Sequence, residues 1–345
     1  MSQLQITELL PQEAPLWNDY LRTHPNANFY QRAEWKTINE TEFGHRCAWL
    51  VARQAGRIRG LFPLVEIRSR LFGHMQCSLP FVNFGAPCAD ARDIEQALVE
   101  HACARARGRG VDYLEIRAPR ELPVELPVSR HKISMSLELD PDPEVLWNAF
   151  KSKHRTNIRR VYKHDIEVRS GGGELLDDFY RVMAHSWRAL GTPLYRKRYF
   201  ARIIEAFGED VRLFVAERNG QVIATAFNGH HQDTVEGMWA GALPEARGLQ
   251  VNYVLYWEMI RDACERGFRH YHLGRSTADS GAESFKKKWN ASARPLYWYY
   301  FLPRGGELPG LNPDNPKYRL AIRVWRRLPL AVTGLIGPWL ARSIP

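Results

Sequence analysis

A short segment in the last quarter of the chain combines an aromatic ring, a cation and small polar residues. Phe285 and Lys286 are adjacent, Trp289 follows one helical turn later, and the preceding loop, 274–284, is rich in Gly, Ser and Ala. Small residues let a ligand approach the backbone closely. A ring can pack on a bound ester while an ammonium group faces the charge developing at its carbonyl oxygen. The pattern suits a site for a bound ester, although three consecutive lysines can also form a solvated turn and Trp289 can be a core anchor.

A second segment, 151–163, contains no acidic residue. Four of its cations recur at every fourth position: Lys151, Arg155, Arg159 and Lys163. A helix would place them on one face, where like charges repel by about 0.2–0.5 kcal/mol per pair in an isolated helix. A face of a single sign predicts a docking strip for the phosphates of RNA or of a nucleotide-linked substrate. A basic helix face without a ligand is the alternative.

The composition agrees with an anionic partner and indicates a globular protein. The chain has 345 residues, a formal net charge of +10, 45% hydrophobic and 25% charged residues. This length predicts about two domains, and the charge favours nucleic acid, a phosphorylated small molecule or an acidic membrane surface. Five scattered cysteines argue against a disulfide scaffold or a zinc ribbon, and the N-terminus lacks the pattern of a signal peptide. We therefore expect a cytoplasmic protein without a metal.

Two hairpin patterns indicate that the chain is duplicated. Residues 50–58 align without a gap to residues 214–222, and in each an apolar run meets a polar turn with Gly at the tight position. The turn Asn219-Gly220 is the sharper signal because both residues tolerate a positive φ. A second pair of patterns, each a helix, a Gly stop and a strand ending in Arg, surrounds Gly110 and Gly267. An offset of roughly 160 residues is typical of a doubled domain.

Each half is therefore predicted to be α/β, with helices that connect the strands of a mixed central sheet. The boundary lies at the chain-breaking run 140–143, where Pro143 fits the first position of a helix and Asp142 its cap. We predict a first domain at 1–139, a second at 140–310 and a basic tail at 311–345.

The pattern of the tail predicts a basic amphipathic helix followed by an apolar stretch. Arginines occupy one face of 318–328: Arg319, Arg323, Arg326 and Arg327. Residues 330–340 are apolar but far shorter than the ~20 residues that a membrane span needs. The pattern predicts peripheral contact of 318–340 with the inner face of a membrane, or a helix that packs on the second domain.

Three segments together resemble the FemABX-like transferases of the GNAT superfamily: GRSTADSGAESFKKKW (274–289), SKHRTNIRRVYKH (152–164) and NFYQRAEW (28–35). The run PFVNFG (80–85) resembles the FemAB branch associated with exosortase (PEP-CTERM) and exopolysaccharide loci. The resemblance spans nearly the whole chain and implies two tandem GNAT-like domains. It also implies transfer of an aminoacyl or acyl group to an amine of a cell-envelope precursor, such as a nucleotide- or lipid-linked peptidoglycan or exopolysaccharide precursor.

The resemblance and the loop pattern together imply a set of site residues. The family's Phe-Lys pair, at the acylated end of the donor, matches Phe285 and Lys286, with Asp279 and Glu283 as the nearest candidate bases. The expected substrate-binding residues are Lys151, Arg155, Asn157, Arg159, Asn252, Tyr256, Arg275, Ser276 and Trp289. Lys286 would face the carbonyl oxygen or a phosphate, and Arg155 and Arg159 would hold phosphates.

The donor expected from this resemblance is aminoacyl-tRNA or another acyl carrier, without a resident cofactor. The place of the usual GNAT pyrophosphate loop reads RGLQVN (247–252) and lacks its second Gly, which disfavours coenzyme A. Two other interpretations stay open: a non-catalytic RNA- or membrane-binding adaptor with the doubled fold, and an acyl-coenzyme A N-acetyltransferase.

Overall fold

The computed structural model describes residues 3–309 and 316–344. Two matching hairpins organise it, as the sequence predicts. Each turns through two consecutive residues with positive φ, Ala55-Gly56 in the first and Asn219-Gly220 in the second. Each pairing also shifts register just before its turn, between Ala52 and Arg53 in one and between Ala216 and Glu217 in the other. A bulge at equivalent positions of the two hairpins is strong support for duplication.

The strands of the first sheet are β1 (Gln5–Glu8), β2 (Arg46–Gln54), β3 (Arg57–Ser69), β4 (Gly73–Cys77), β5 (Cys88–Ala89), β6 (Tyr113–Ala118), β7 (Val128–Ser129) and β15 (Tyr297–Phe301). Their order is β1-β2-β3-β4-β6-β15-β7, with β5 paired to β3. The helices of this part of the chain are α1 (Ala14–Thr23), α2 (Glu34–Phe43) and α3 (Arg92–Arg109).

The strands of the second sheet are β8 (Lys132–Glu138), β9 (Ile166–Gly171), β10 (Val211–Arg218), β11 (Gln221–His231), β12 (Thr234–Ala242), β13 (His270–Thr277) and β14 (Ser292–Pro295). Their order is β14-β8-β13-β12-β11-β10-β9. The helices of this part are α4 (Pro143–Ala149), α5 (Ser152–Tyr162), α6 (Leu176–Leu190), α7 (Lys197–Phe207), α8 (Asn252–Glu265), α9 (Gly281–Lys287), α10 (Pro316–Arg327) and α11 (Leu330–Ala341).

The two sheets repeat one topology. In the first, β3 pairs antiparallel with β4, and β4 pairs parallel with β6 after the helix α3. In the second, β11, β12 and β13 repeat this arrangement around the helix α8. The α/β class and the doubling expected from the sequence are therefore confirmed.

Each half gives its last strand to the other sheet. Strand β15 follows the second half in sequence but pairs with β6 in the first sheet, whereas β8 follows the first half and lies beside β13. The side chain of Tyr299 is buried in the first core, and its hydroxyl accepts a hydrogen bond from the Leu122 amide at 3.0 Å. Segment 294–309 therefore belongs to the first compact unit, although the second predicted domain ran to residue 310.

Helix ends follow the predicted signals. The Asp142 carboxylate accepts a hydrogen bond from the Glu144 amide at 2.9 Å and caps α4, with Pro143 at its first position. Gly191, in the left-handed region at φ +82°, ends α6. These signals depend on local conformation alone, which is why the sequence reveals them.

The basic tail forms two helices that pack on the second unit. Both α10 and α11 contact α6, and the Arg188 guanidinium donates to the Leu328 carbonyl at 3.1 Å. The structure therefore shows the second of the two alternatives for the tail, in which it packs on the second domain. Residues 311–315 of the predicted tail, and the side chain of Tyr318, lie outside what the structure describes. Among the described residues, no helix has the length and apolar character needed to cross a membrane.

A buried ion pair beside the exchanged strand gives a test of the fold. Arg117 donates to Glu115 at 2.6 Å, and its guanidinium lies 4.6 Å from the ring centre of Trp298 on β15. We expect Arg117→Met to lower the free energy of unfolding by about 3–5 kcal/mol, because it removes the partner of a buried carboxylate. Urea denaturation measures the change. The matched control is Arg57→Met, at an exposed position. If Arg117→Met lowered the free energy of unfolding no more than this control, the buried ion pair would be contradicted.

Candidate active site

The loop before α9 is held by its own side chains. Ser280 caps the helix by accepting a hydrogen bond from the Glu283 amide at 3.2 Å. The Glu283 carboxylate accepts from the Asp279 amide at 2.5 Å and pairs with Lys287 at 2.6 Å. The spacing Ser-x-x-Glu is typical of a capping box. It fixes the direction of α9 and thereby the positions of the next residues.

Lys286 points into the protein from this helix, with only 7% of its surface exposed. Its ammonium group donates to the carbonyl oxygens of Gly274 and Arg275 on β13, at 2.9 and 3.0 Å. Burial, with a smaller effect of the Arg275 charge, lowers the pKa of Lys286 to about 8. Two of the three ammonium protons are therefore bound to the backbone, and one remains for a further acceptor.

Aromatic rings surround Phe285 and form what we call the aromatic cluster: Tyr253, Tyr256, Phe285 and Trp289. The ring centres of Phe285 and Tyr256 lie 5.1 Å apart and nearly perpendicular, and those of Phe285 and Tyr253 lie 5.5 Å apart. Trp289 is fully buried and stacks on Tyr256 at 6.0 Å. Phe285 itself is half-buried, so its ring is in contact with solvent, whereas Trp289 lies inside the cluster.

The basic segment forms the helix α5, which contacts α8. Ile158 is buried, whereas Lys151 and Arg159 are exposed and Arg155 is half-buried. Arg155 donates to the Asn148 side chain at 3.4 Å, and the Arg159 guanidinium lies over the Trp147 ring at 5.2 Å. Within residues 3–309 and 316–344, no ion pair with a carboxylate neutralises these three cations. The basic face is therefore open to anions.

The remaining predicted residues differ in their surroundings. Ser276 is buried with its hydroxyl unpartnered among the described residues, beside the half-buried Arg275. Asn157 is half-buried on α5, and Asn252 is exposed at the start of α8.

The two candidate bases are not alike. Glu283 is buried, both carboxylate oxygens are bound, and Lys287 lowers the pKa of this carboxyl. These contacts assign Glu283 to the structure of the loop. Asp279 is exposed and has a φ of +60°, a conformation that the Glu283 bond to its amide supports.

The sequence analysis did not predict three residues that lie in this region: Tyr253, Lys288 and His154. The Lys288 ammonium donates to the Tyr253 hydroxyl at 3.0 Å and lies 5.9 Å from the ring centre of Phe285. His154 is buried with its ring 4.3 Å from that of Trp289, and burial lowers the pKa of His154 to about 4. Its position on the buried face of α5, opposite the cations, was the available signal.

The first backbone N–H groups of α8 already have backbone acceptors. The amide of Tyr253 donates to the Gln250 carbonyl at 3.0 Å, and the amide of Val254 donates to the Val251 carbonyl at 3.1 Å. The Gln250 side chain accepts from Arg160 of α5 at 2.6 Å, which joins the basic helix to this turn. Among the described residues, no group of three or more His, Cys, Asp or Glu side chains is arranged to hold a metal ion.

Part of the chain matches a known protein family. Residues 149–287, which include α5, β13 and α9, match the family model described as an acetyltransferase (GNAT) domain. The match covers strands β9 to β13 of the second sheet and the Lys286 loop, whereas β8 and β14 lie outside it. A tandem GNAT protein from the clavulanic acid biosynthesis pathway has the same doubled fold, with a TM-score of 0.54, 14% identity, and coverage of 88% of this chain and 100% of that chain.

Two Fem-type proteins are similar to this chain. The crystal structure of FemX superposes with a TM-score of 0.65 at 13% identity, covering 92% of this chain and all of FemX. The UDP-N-acetylmuramoylpentapeptide-lysine N(6)-alanyltransferase of Weissella viridescens is 28% identical over 157 residues, which are 44% of this chain and 46% of that protein. The match thus spans about half the length of this relative. The predicted resemblance to FemAB-like GNAT proteins is confirmed.

The lowered pKa of Lys286 leads to a measurable prediction. Its pKa is about 8 in the folded protein and about 10.4 in an unfolded chain, so the folded state releases this proton first. The stability of the wild type relative to Lys286→Met should therefore rise as the pH increases from about 8 to 10.4. Urea denaturation of both proteins across this range measures the difference. A difference that is constant with pH would contradict the lowered pKa.

Proposed function

We propose that the protein is a FemAB-like acyltransferase, which moves an aminoacyl or acyl group from a carrier to an amine of a cell-envelope precursor. The observation that carries the proposal is the buried Lys286, held by two carbonyls beside the aromatic cluster, next to a helix with a basic face. The alanyltransferase of Weissella viridescens, whose name describes transfer to a lysine N(6), supports the reaction class. The GNAT domain at 149–287 supports acyl transfer to nitrogen.

The proposed reaction needs alignment and stabilisation of charge. The acceptor amine attacks the carbonyl carbon of the donor ester, so that a C–N bond forms and the ester C–O bond breaks. The amine loses a proton, and the carrier hydroxyl leaves with one. The third N–H of Lys286 binds the carbonyl oxygen as its negative charge develops, while Phe285 packs on the acyl group. Positioning of the two reactants can supply up to about 7–11 kcal/mol of the barrier.

The proposed donor is aminoacyl-tRNA or another anionic carrier, and coenzyme A is disfavoured. Its phosphates would lie along Lys151, Arg155 and Arg159 of α5. In favour of this choice, the first amides of α8 donate to Gln250 and Val251. They are the groups that would otherwise hold a pyrophosphate at a helix N-terminus.

The finer assignments also belong to this proposal. We propose a nucleotide- or lipid-linked peptidoglycan or exopolysaccharide precursor as the acceptor, and the exosortase (PEP-CTERM) branch as the nearest group of relatives. We further propose a cytoplasmic location, with the α10–α11 segment at the inner face of the membrane.

Replacing Lys286 tests the proposed role directly. We expect Lys286→Ala to lower kcat/KM about 100- to 1,000-fold, as does the loss of one donor to a developing oxyanion in other enzymes. Transfer of a radiolabelled aminoacyl group from tRNA to UDP-linked and lipid-linked muramoyl peptides measures the rate. Arg57→Ala, which removes an exposed cation of the first unit, is the control and should retain activity.

The same assay separates the alternatives. Transfer by the wild type from acetyl-coenzyme A, but not from aminoacyl-tRNA, would replace the proposal by an N-acetyltransferase. Binding of tRNA without transfer to any of these acceptors would favour the adaptor. Full activity of Lys286→Ala would remove the assigned role.

The basic face of α5 has its own test. We expect Lys151→Gln/Arg159→Gln to weaken tRNA binding, and the slope of log K against log salt to become shallower by about 0.7–0.9 for each phosphate that is no longer neutralised. Filter binding at several salt concentrations measures both quantities. Arg57→Gln/Arg92→Gln, at two exposed positions of the first unit, is the charge-matched control. An equal effect of the control would indicate attraction by the overall charge alone.

A further inference from the structure

The two tail helices leave an apolar surface uncovered. On α11, Val332, Leu335, Ile336 and Trp339 are exposed, and their spacing of three and four residues places them on one face. The exposed fractions are 80% for Leu335 and 54% for Trp339, unusual values for large apolar side chains in a helix that packs on a domain. The opposite face is occupied, since Gly337, Pro338 and Ala341 are buried.

Helix α10 carries a second exposed apolar row. Leu320 and Val324, one helical turn apart, are 59% and 51% exposed, whereas Trp325 is buried on the other side. Both helices contact α6, so their exposed apolar rows face away from it. We call the six exposed residues the apolar face: Leu320, Val324, Val332, Leu335, Ile336 and Trp339. An exposed apolar group of this size marks an interaction site in a stable protein.

Cations border the apolar face on one side. Arg319, Arg323 and Arg327 are exposed on α10, and each of the last two lies three residues after a member of the apolar face. No Asp or Glu follows Asp314 in the sequence. A partner that covers the apolar face must therefore present negative charge beside an apolar interior.

An anionic lipid bilayer has this combination. Apolar side chains can enter the boundary of the acyl chains while the neighbouring guanidinium groups bind lipid phosphates. Trp is enriched at this depth of a membrane, which suits Trp339. Helix α11 has 12 residues, against the ~20 that a span requires, so it would lie along the surface.

We propose that the apolar face of α10 and α11 docks on the surface of an anionic bilayer, with the arginines of α10 on lipid phosphates. The docking brings the second unit to the membrane by a site separate from the Lys286 loop. It requires no acyl transfer, and its test uses lipid alone.

Sedimentation with vesicles tests the docking. The full chain should bind vesicles of mixed phosphatidylglycerol and phosphatidylcholine, and bind phosphatidylcholine alone at least about tenfold more weakly. We expect Leu335→Ser/Trp339→Ser to weaken binding to the mixed vesicles about tenfold or more. Arg323→Gln should weaken it about fivefold at low salt. The control is Leu16→Ser/Leu71→Ser, which removes two apolar side chains of the first unit that are 55% and 62% exposed.

The outcomes decide between occupants. Circular dichroism of each variant verifies folding, which these exposed positions should not disturb. Absence of vesicle binding by the wild type, or equal binding by Leu335→Ser/Trp339→Ser, would overturn the proposal. A dimer of the wild type in solution that this variant dissociates, without vesicle binding, would assign the apolar face to a second copy instead.

Discussion

A charged amine inside a protein needs acceptors, and the way Lys286 obtains them determines the geometry of the candidate site. Its two acceptors are the carbonyl groups of the consecutive residues Gly274 and Arg275 in the second half of β13, where Gly274 has a φ of +79°. The amine can reach them only if α9 starts where Ser280 and Glu283 cap it. The loop, this part of β13 and the aromatic cluster thus depend on one another, and burial lowers the pKa of the amine to about 8.

Duplication supplied the scaffold, and the two copies have diverged at one corresponding position. The strand β6 carries Arg117 just before its last residue, and Glu115 and Trp298 lie against this side chain in the first unit. The matching strand β13 carries Arg275 two residues before its end, and the residue two positions earlier is Leu273 in place of a carboxylate. Arg275 is half-buried and contributes its carbonyl to Lys286. The first copy buries an ion pair at this point, whereas the second copy supplies part of the candidate site.

Local signals made much of this fold predictable. The turn at Asn219-Gly220, the cap at Asp142 and the helix end at Gly191 each depend on a few neighbouring residues. The exchange of β8 and β15 was not predictable, because strand pairing between distant segments leaves no local pattern. Phe285, Lys286 and Trp289 were predicted as site residues from their types, and the structure places the rings of Phe285 and Trp289 6.1 Å apart. The structural use of Glu283 and the contacts of His154 and Lys288 required coordinates, since polar contacts depend on which side chains the packing brings together.

The central claim is that the acyl end of an anionic carrier lies against α9 and the end of β13. Photocrosslinking with tRNA that carries a photoreactive aminoacyl group on its terminal ribose tests it most directly, because the crosslinked peptide can be sequenced by mass spectrometry. The account predicts crosslinks at 274–289, centred on Phe285, and their disappearance when unlabelled aminoacyl-tRNA competes. Crosslinks confined to the first sheet or to α10 and α11, with none at 274–289, would contradict it.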